Sequence, residues 1–142
     1  MMFESAKKWL SNVWIIQEAS GICIFEQSFM NIDMSPDLIS GFLIAMLNFG
    51  RELTEKDLKM ISFNELRIKF KKSDDLIIAI AVLDNCNDTE AAALINLIAE
   101  EFKQRYVSLL EHFSGDTSQF DEFGLYTEKI IDKKALPIYF VR

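Results

Sequence analysis

The chain of 142 residues has one histidine, two cysteines, two prolines and five glycines, and each scarcity excludes something. His112 with Cys23 and Cys86 cannot supply the set of Cys and His ligands that a zinc site needs. Two thiols so far apart in sequence define no disulfide framework, and two reduced, buried side chains are expected. The glycines never fall into G-x-G-x-x-G or G-x-x-x-x-G-K-[ST], so no phosphate-cradling loop is expected. Basic residues are in the minority. Fifteen Lys and Arg against 22 Asp and Glu leave a net charge of −7, a field that repels polyanions and argues against a nucleic-acid partner. No apolar run approaches the roughly 20 residues that span a bilayer. The opening "MMFESAKKWLSN" lacks the apolar core of a secretory signal. A cytoplasmic protein is expected, touching membranes peripherally if at all.

What is abundant is apolar bulk. Half of the residues are hydrophobic and 12 are Phe, in one globular domain by length. "FESAKKWLS" allows one or two helical turns with Phe3, Ala6 and Leu10 on one side. Val13 to Glu18 and Ile22 to Phe29 read as two strands joined at Ala19-Ser20-Gly21, with Gly21 in the left-handed position and apolar side chains on both faces. In the second of these strands Ile22 and Ile24 are expected opposite Cys23, Phe25 and Phe29. "SPDLISGFLIAMLNFG" reads as a helix with Ser35 as N-cap, Pro36 in the first turn and Gly50 just past its end. Leu38, Phe42, Ala45, Met46 and Phe49 are expected to form its buried stripe. Three strands follow, near Lys59–Phe63, Leu66–Lys71 and Leu76–Leu83, the last a continuous apolar run and therefore central. A long helix is expected from Asn87 or Asp88 to about Phe113. A last helix is expected to be capped by Thr117 or Ser118. The core should span residues 12–135, and the apolar tail 136–142 should dock as an extended segment. The fold class expected is α/β, a sandwich whose five-stranded, mostly antiparallel sheet carries one helix on one face and two on the other.

The chemistry-bearing residues form no catalytic constellation, and neither an enzyme nor a cofactor is expected. His112 closes a helix, where backbone carbonyls and solvent account for it. Ser20 beside Gly21 lacks the strand-to-helix setting of a nucleophile turn. Asp74-Asp75, Asp84 with Asp88, and Glu100-Glu101 lack the ligand spacing of a calcium loop. Arg67, Lys69 and Lys71, followed by Lys72, form the one basic stripe. It reads as a solvated face near a sheet edge, or as a docking patch for an acidic partner or anionic lipid. The helix 36–49 is apolar nearly all round, so its outer side needs a cover, either the chain's own tail or another protein. Ser40, Leu43, Ile44, Leu47 and Asn48 are the candidate interface residues there.

The pattern running from "WIIQEASGICIFEQSF" through "LRIKF" and "DLIIAIAVLD" to "EEFKQRYVSLLEHFSGDTSQFDEF" resembles the longin-like domains of the SNARE-like superfamily, with the roadblock domain as a close relative. The resemblance covers nearly the whole chain and rests on element order, since the family has no catalytic motif. It implies a non-enzymatic platform, of the kind found in adaptor subunits, tethering complexes and vesicle SNAREs. Such domains dimerise with themselves or with related domains, and bind small Ras-like GTPases. No heptad run follows Phe113, so the resemblance extends to adaptor or GTPase-regulator roles and not to membrane fusion. A roadblock-type regulator and a small-ligand sensor are the alternatives.

Overall fold

Eight consecutive residues, Leu76–Leu83, contain no charge, and a strand of that kind has to be covered on both faces. The structure is a computed structural model and describes residues 3–30, 35–56 and 58–131. It has strands β1 (Leu10–Gln17), β2 (Ile22–Ser28), β3 (Met60–Ser62), β4 (Leu66–Ser73) and β5 (Leu76–Leu83). They form one five-stranded sheet in the order β2-β1-β5-β4-β3. Every neighbouring pair is antiparallel, so the mostly antiparallel sheet expected is antiparallel throughout. In both central strands, β1 and β5, seven of eight residues are buried.

Strand alternation sends the two faces of this sheet to different layers. Trp14, Ile16, Ile68, Phe70, Ile77, Ala79 and Ala81 face helix α1 (Pro36–Thr54). The opposite face presents Val13, Ile15, Ile78, Ile80 and Val82 to a layer built from α2 (Asp88–Arg105) and α4 (Phe123–Ile131). Ala79 sits in register with both Trp14 and Phe70, a small residue between two large ones. The second layer centres on an aromatic cluster. Phe102 lies 4.8 Å from Tyr106, 5.3 Å from Phe120 and 5.0 Å from Phe123, ring centre to ring centre.

Several local expectations are met. Gly21 takes φ 73° at the first hairpin, its N–H donating to the Gln17 carbonyl at 2.9 Å. Ser35 Oγ accepts the Leu38 N–H, Pro36 opens α1, and the Asn87 side chain caps α2 through the Glu90 N–H. The thiols of Cys23 and Cys86 are unpaired, the first buried and the second half-buried.

Others are corrected. The register of β1 on β2 slips between Ile15 and Ile16, so Ile24 and Phe25 both join the α2 layer instead of opposing each other. Gly50 does not end α1. The helix runs another turn to Thr54 and stops at Glu55, which takes φ 62°. Gly50 is buried because a Cβ there would stand 3.0 Å from the Leu58 Cβ, so the glycine lets the returning chain pass close.

The long helix expected to reach Phe113 breaks at Tyr106, where φ −118° and ψ 24° turn the ring into the aromatic cluster. A short α3 (Val107–Glu111) follows. Asp116, not Thr117 or Ser118, caps the next segment, a 3-10 turn at Thr117–Phe120 ahead of α4. The N-terminal helical turns are a single 3-10 segment, Glu4–Lys8, with Phe3, Ala6, Trp9 and Leu10 buried. The expected docked tail 136–142, and the end of the core at residue 135, lie outside the described residues.

The two glycines of α1 should respond in opposite ways to alanine. At Gly41 an added Cβ meets nothing within 4 Å, so Gly41→Ala should gain about 0.5–1 kcal/mol from helix propensity alone. Gly50→Ala carries the same gain but forces Leu58 outward, and should be destabilising on balance. Chemical denaturation of both variants checks this. An equal gain at the two positions would show that the approach of Leu58 imposes no constraint.

Candidate functional site

A helix with two apolar stripes can bury only one of them against a sheet. In α1 the buried stripe is Ile39, Leu43 and Leu47, together with the small residues Ser40 and Gly50. Ser40 Oγ donates to the Asp37 carbonyl within the helix. This reverses the expected orientation. Of the candidate interface residues, Ser40, Leu43 and Leu47 are packed on the sheet and Ile44 is half-buried beside the same core. Asn48 alone is fully on the surface.

The stripe expected to be inside is largely outside: Leu38 is 69 % exposed, Phe42 38 % and Phe49 57 %, and one turn further on Leu53, beyond the expected helix end, is 67 % exposed. The physical reason lies in fit. Ile39, Leu43 and Leu47 fill the sheet-facing side of α1 together with Trp14, Ile16, Ile68 and Phe70, and Gly50 on that side admits the returning chain at Leu58. The bulky Phe side chains are left outside.

The exposed strip continues onto the sheet edge. The Phe42 and Phe63 rings are 6.3 Å apart, and Phe63 and Met60 are both exposed. β3 is the last strand of the sheet and pairs only with β4. The Phe63 N–H donates to Leu66 and the Phe70 N–H to Lys59, so by alternation the main-chain groups of Met60 and Ser62 turn away from β4. A helix face rich in large apolar side chains thus adjoins a strand edge able to accept another strand. Leu53, Met60 and Phe63 were not among the expected interface residues. Leu53 lies beyond the supposed helix end, and the other two join the strip only through the chain reversal at Leu58.

The basic stripe is divided. Lys69 Nζ lies 2.9 Å from Asp88 Oδ1 and Arg67 3.6 Å from the same oxygen, so both are held at the start of α2. The Lys69 hydrogen bond lowers the pKa of the Asp88 carboxyl. Lys71 donates to Asn96 Oδ1 at 2.6 Å. Lys72, on the opposite face of β4, pairs with Glu18 at 2.8 Å, and Arg51 reaches Glu18 at 3.5 Å. The four cations therefore do not form one open patch.

The remaining candidates stay apart. His112 is exposed at the end of α3, and Ser20 is engaged with Gln17 in the first hairpin. Asp74 pairs with Lys103, and Asp75 accepts the Ala19 N–H. Burial pushes the Cys23 thiol up to about 12, which keeps it protonated and unreactive at neutral pH. Among the described residues no group of three His, Cys, Asp or Glu is placed to hold a metal ion, and no helix is long and apolar enough to cross a membrane. Compared with known proteins, the chain matches no protein-family model and no curated protein.

Glu18 provides a pH test of the α1–sheet contact. Its hydrogen bond to Lys72 pulls the carboxyl below its ordinary value of 4.5, burial opposing and the Lys72 and Arg51 charges assisting. A carboxyl whose folded pKa is depressed adds stability above its unfolded value and loses it as pH falls through the folded one. Stability contributed here should therefore be intact at neutral pH and decline below about pH 4.5. Glu18→Gln should cost roughly 0.5–1 kcal/mol at pH 7, given partial solvent screening. It should also flatten the acid limb of a stability–pH curve. An unchanged acid limb would show that the bridge contributes nothing.

Proposed function

We propose that the chain is a non-enzymatic interaction module of the longin-like type, an adaptor or regulator platform for a small Ras-like GTPase or a trafficking-type complex. Its working surface is the outer strip of α1, Leu38, Phe42, Phe49 and Leu53, continued by Met60 and Phe63 at the β3 edge. The observation that carries the reading is the strip itself. The helix is fully packed on one side and still displays large apolar side chains along the other, and contiguous exposed apolar surface of that kind marks binding sites. The element order supports the longin-like form. Two strands, a helix, three strands and then helices follow one another, and α4 is present where a roadblock arrangement usually has none. The N-terminal segment is one five-residue 3-10 turn, shorter than the additional helix of a roadblock domain. A self-complementary strip and an available strand edge also suit a homodimer or a heterodimer with a related domain.

One observation favours a second reading. A groove of about 550 Å³ lies between the β4–β5 turn and the break after α2, with Leu76, Val107 and Leu110 as its apolar wall and Lys103 at the rim. Its size falls in the range of small-molecule sites, and a small-ligand sensor would use it.

The decisive experiment is affinity capture with wild-type protein and with the double variant Phe42→Asp, Phe49→Asp, in GTP-analogue and GDP conditions, alongside native mass. Both substituted side chains are exposed, so the variant should fold. Recovery of a small GTPase that depends on nucleotide and is lost in the variant supports the platform. The reading fails if a folded variant keeps both its oligomeric mass and its partners. A metabolite carried by the native protein would favour the sensor.

A further inference from the structure

β3 is much shorter than the strand it pairs with. Its strand pairing ends with Met60 opposite Lys69 and one further main-chain bond from the Phe70 N–H to the Lys59 carbonyl, whereas β4 runs on to Ser73. Beyond that point the sheet edge opens into a notch of about 420 Å³ between β4, the Leu58-Lys59 approach to β3, and α2. Phe70 and Ile95 lie along it, and Lys59, Lys71 and Lys72 surround it with Asn96. Among the described residues no carboxylate lines it, in a protein of net charge −7. Lys72 is held by Glu18 at 2.8 Å, so Lys59 and Lys71 carry the positive charge of the notch, set against the overall field and above an apolar floor.

We propose that this notch binds an extended acidic segment of a protein partner. The geometry selects the occupant. Lys71 points to the α2 layer, where it meets Asn96, and Lys72 points to the α1 layer, where it meets Glu18. A membrane surface is planar and cannot face both sides of a sheet edge at once. An extended peptide can, because its successive side chains also alternate between two sides. Two adjacent acidic residues would place one carboxylate toward Lys71 and the next toward Lys72, where it competes with Glu18. A neighbouring apolar residue would rest on Phe70 and Ile95. Lys59, exposed on the approach to β3, adds charge at the lip. This site is separate from the α1 strip and does not depend on the function proposed above.

The test uses the whole protein and a fluorescein-labelled peptide, Val-Asp-Glu-Val-Asp-Glu-Val, read by anisotropy. The expected result is saturable binding that weakens as salt is raised from roughly 0.05 to 0.2 M. The counterpart with Lys in place of each Asp and Glu should not bind. Lys59→Glu with Lys71→Glu should lower affinity roughly tenfold or more, whereas Lys8→Glu, remote from the notch, should leave it unchanged. Asn96→Asp keeps every lysine and places a carboxylate beside Lys71, so it should weaken binding several-fold even if the double variant fails to fold. The α1 variant Phe42→Asp, Phe49→Asp should bind the peptide as wild type does, which keeps the two proposals separable. Equal binding of the lysine peptide overturns the proposal, as does undiminished binding by folded Asn96→Asp. Sedimentation with phosphatidylserine vesicles that is lost on Asn96→Asp would assign the notch to lipid instead and likewise overturn it.

Discussion

The fold depends on covering β5 from both sides. A central strand with seven of eight residues buried cannot be satisfied by one helical layer, and its main-chain groups need a partner strand on each edge. β1 and β4 supply those edges, and α1 and the α2–α4 layer supply the covers. Each other element holds its place through this requirement. The first hairpin is apolar on both faces because β1 shares both layers with β5. The aromatic cluster around Phe102 exists because the α2 layer has to close over a wide patch of β-branched side chains.

The two covers are not equivalent. The α2 side is thick, with Phe102, Tyr106, Phe120 and Phe123 stacked edge to face, and it closes on itself. The α1 side is a single helix set close to the sheet, and nothing among the described residues lies over its outer strip. The division of labour follows from bulk. The stripe of Ile39, Leu43 and Leu47 fills the side of α1 against the sheet, and the bulkier Phe42 and Phe49 are left facing outward. The surface available for recognition is in this sense a by-product of close packing beneath it.

How much of this can be read from residues alone depends on the range of the interaction. Strand alternation and β-branched runs are local, so β1, β4 and β5 and the central place of Leu76–Leu83 were legible. So were the cap at Ser35, the start of α2 near Asn87 and the turn at Gly21. The rotation of α1 was not, because its two apolar stripes are equal in periodicity and differ only in how they meet residues far along the chain. The break at Tyr106 carries no Gly or Pro signal. Its cause is the ring's place among Phe102 and Phe120. The basic stripe was legible as a stripe. Its division was not, since Asp88 and Glu18 come from distant segments. The family resemblance came from element order, and the sheet expected from that order is present.

The pairing of β1 with β5 also has a consequence in time. The first hairpin emerges from the ribosome well before Leu76, yet both of its faces and one of its edges belong to residues made later. Until β5 and the α2 layer are available, Ile15 and Phe25 have no native cover and the open edge of β1 has no native neighbour. Contacts of such long sequence separation form slowly, and unpaired apolar strands aggregate meanwhile. The native burial of the first hairpin therefore waits on residues far along the chain.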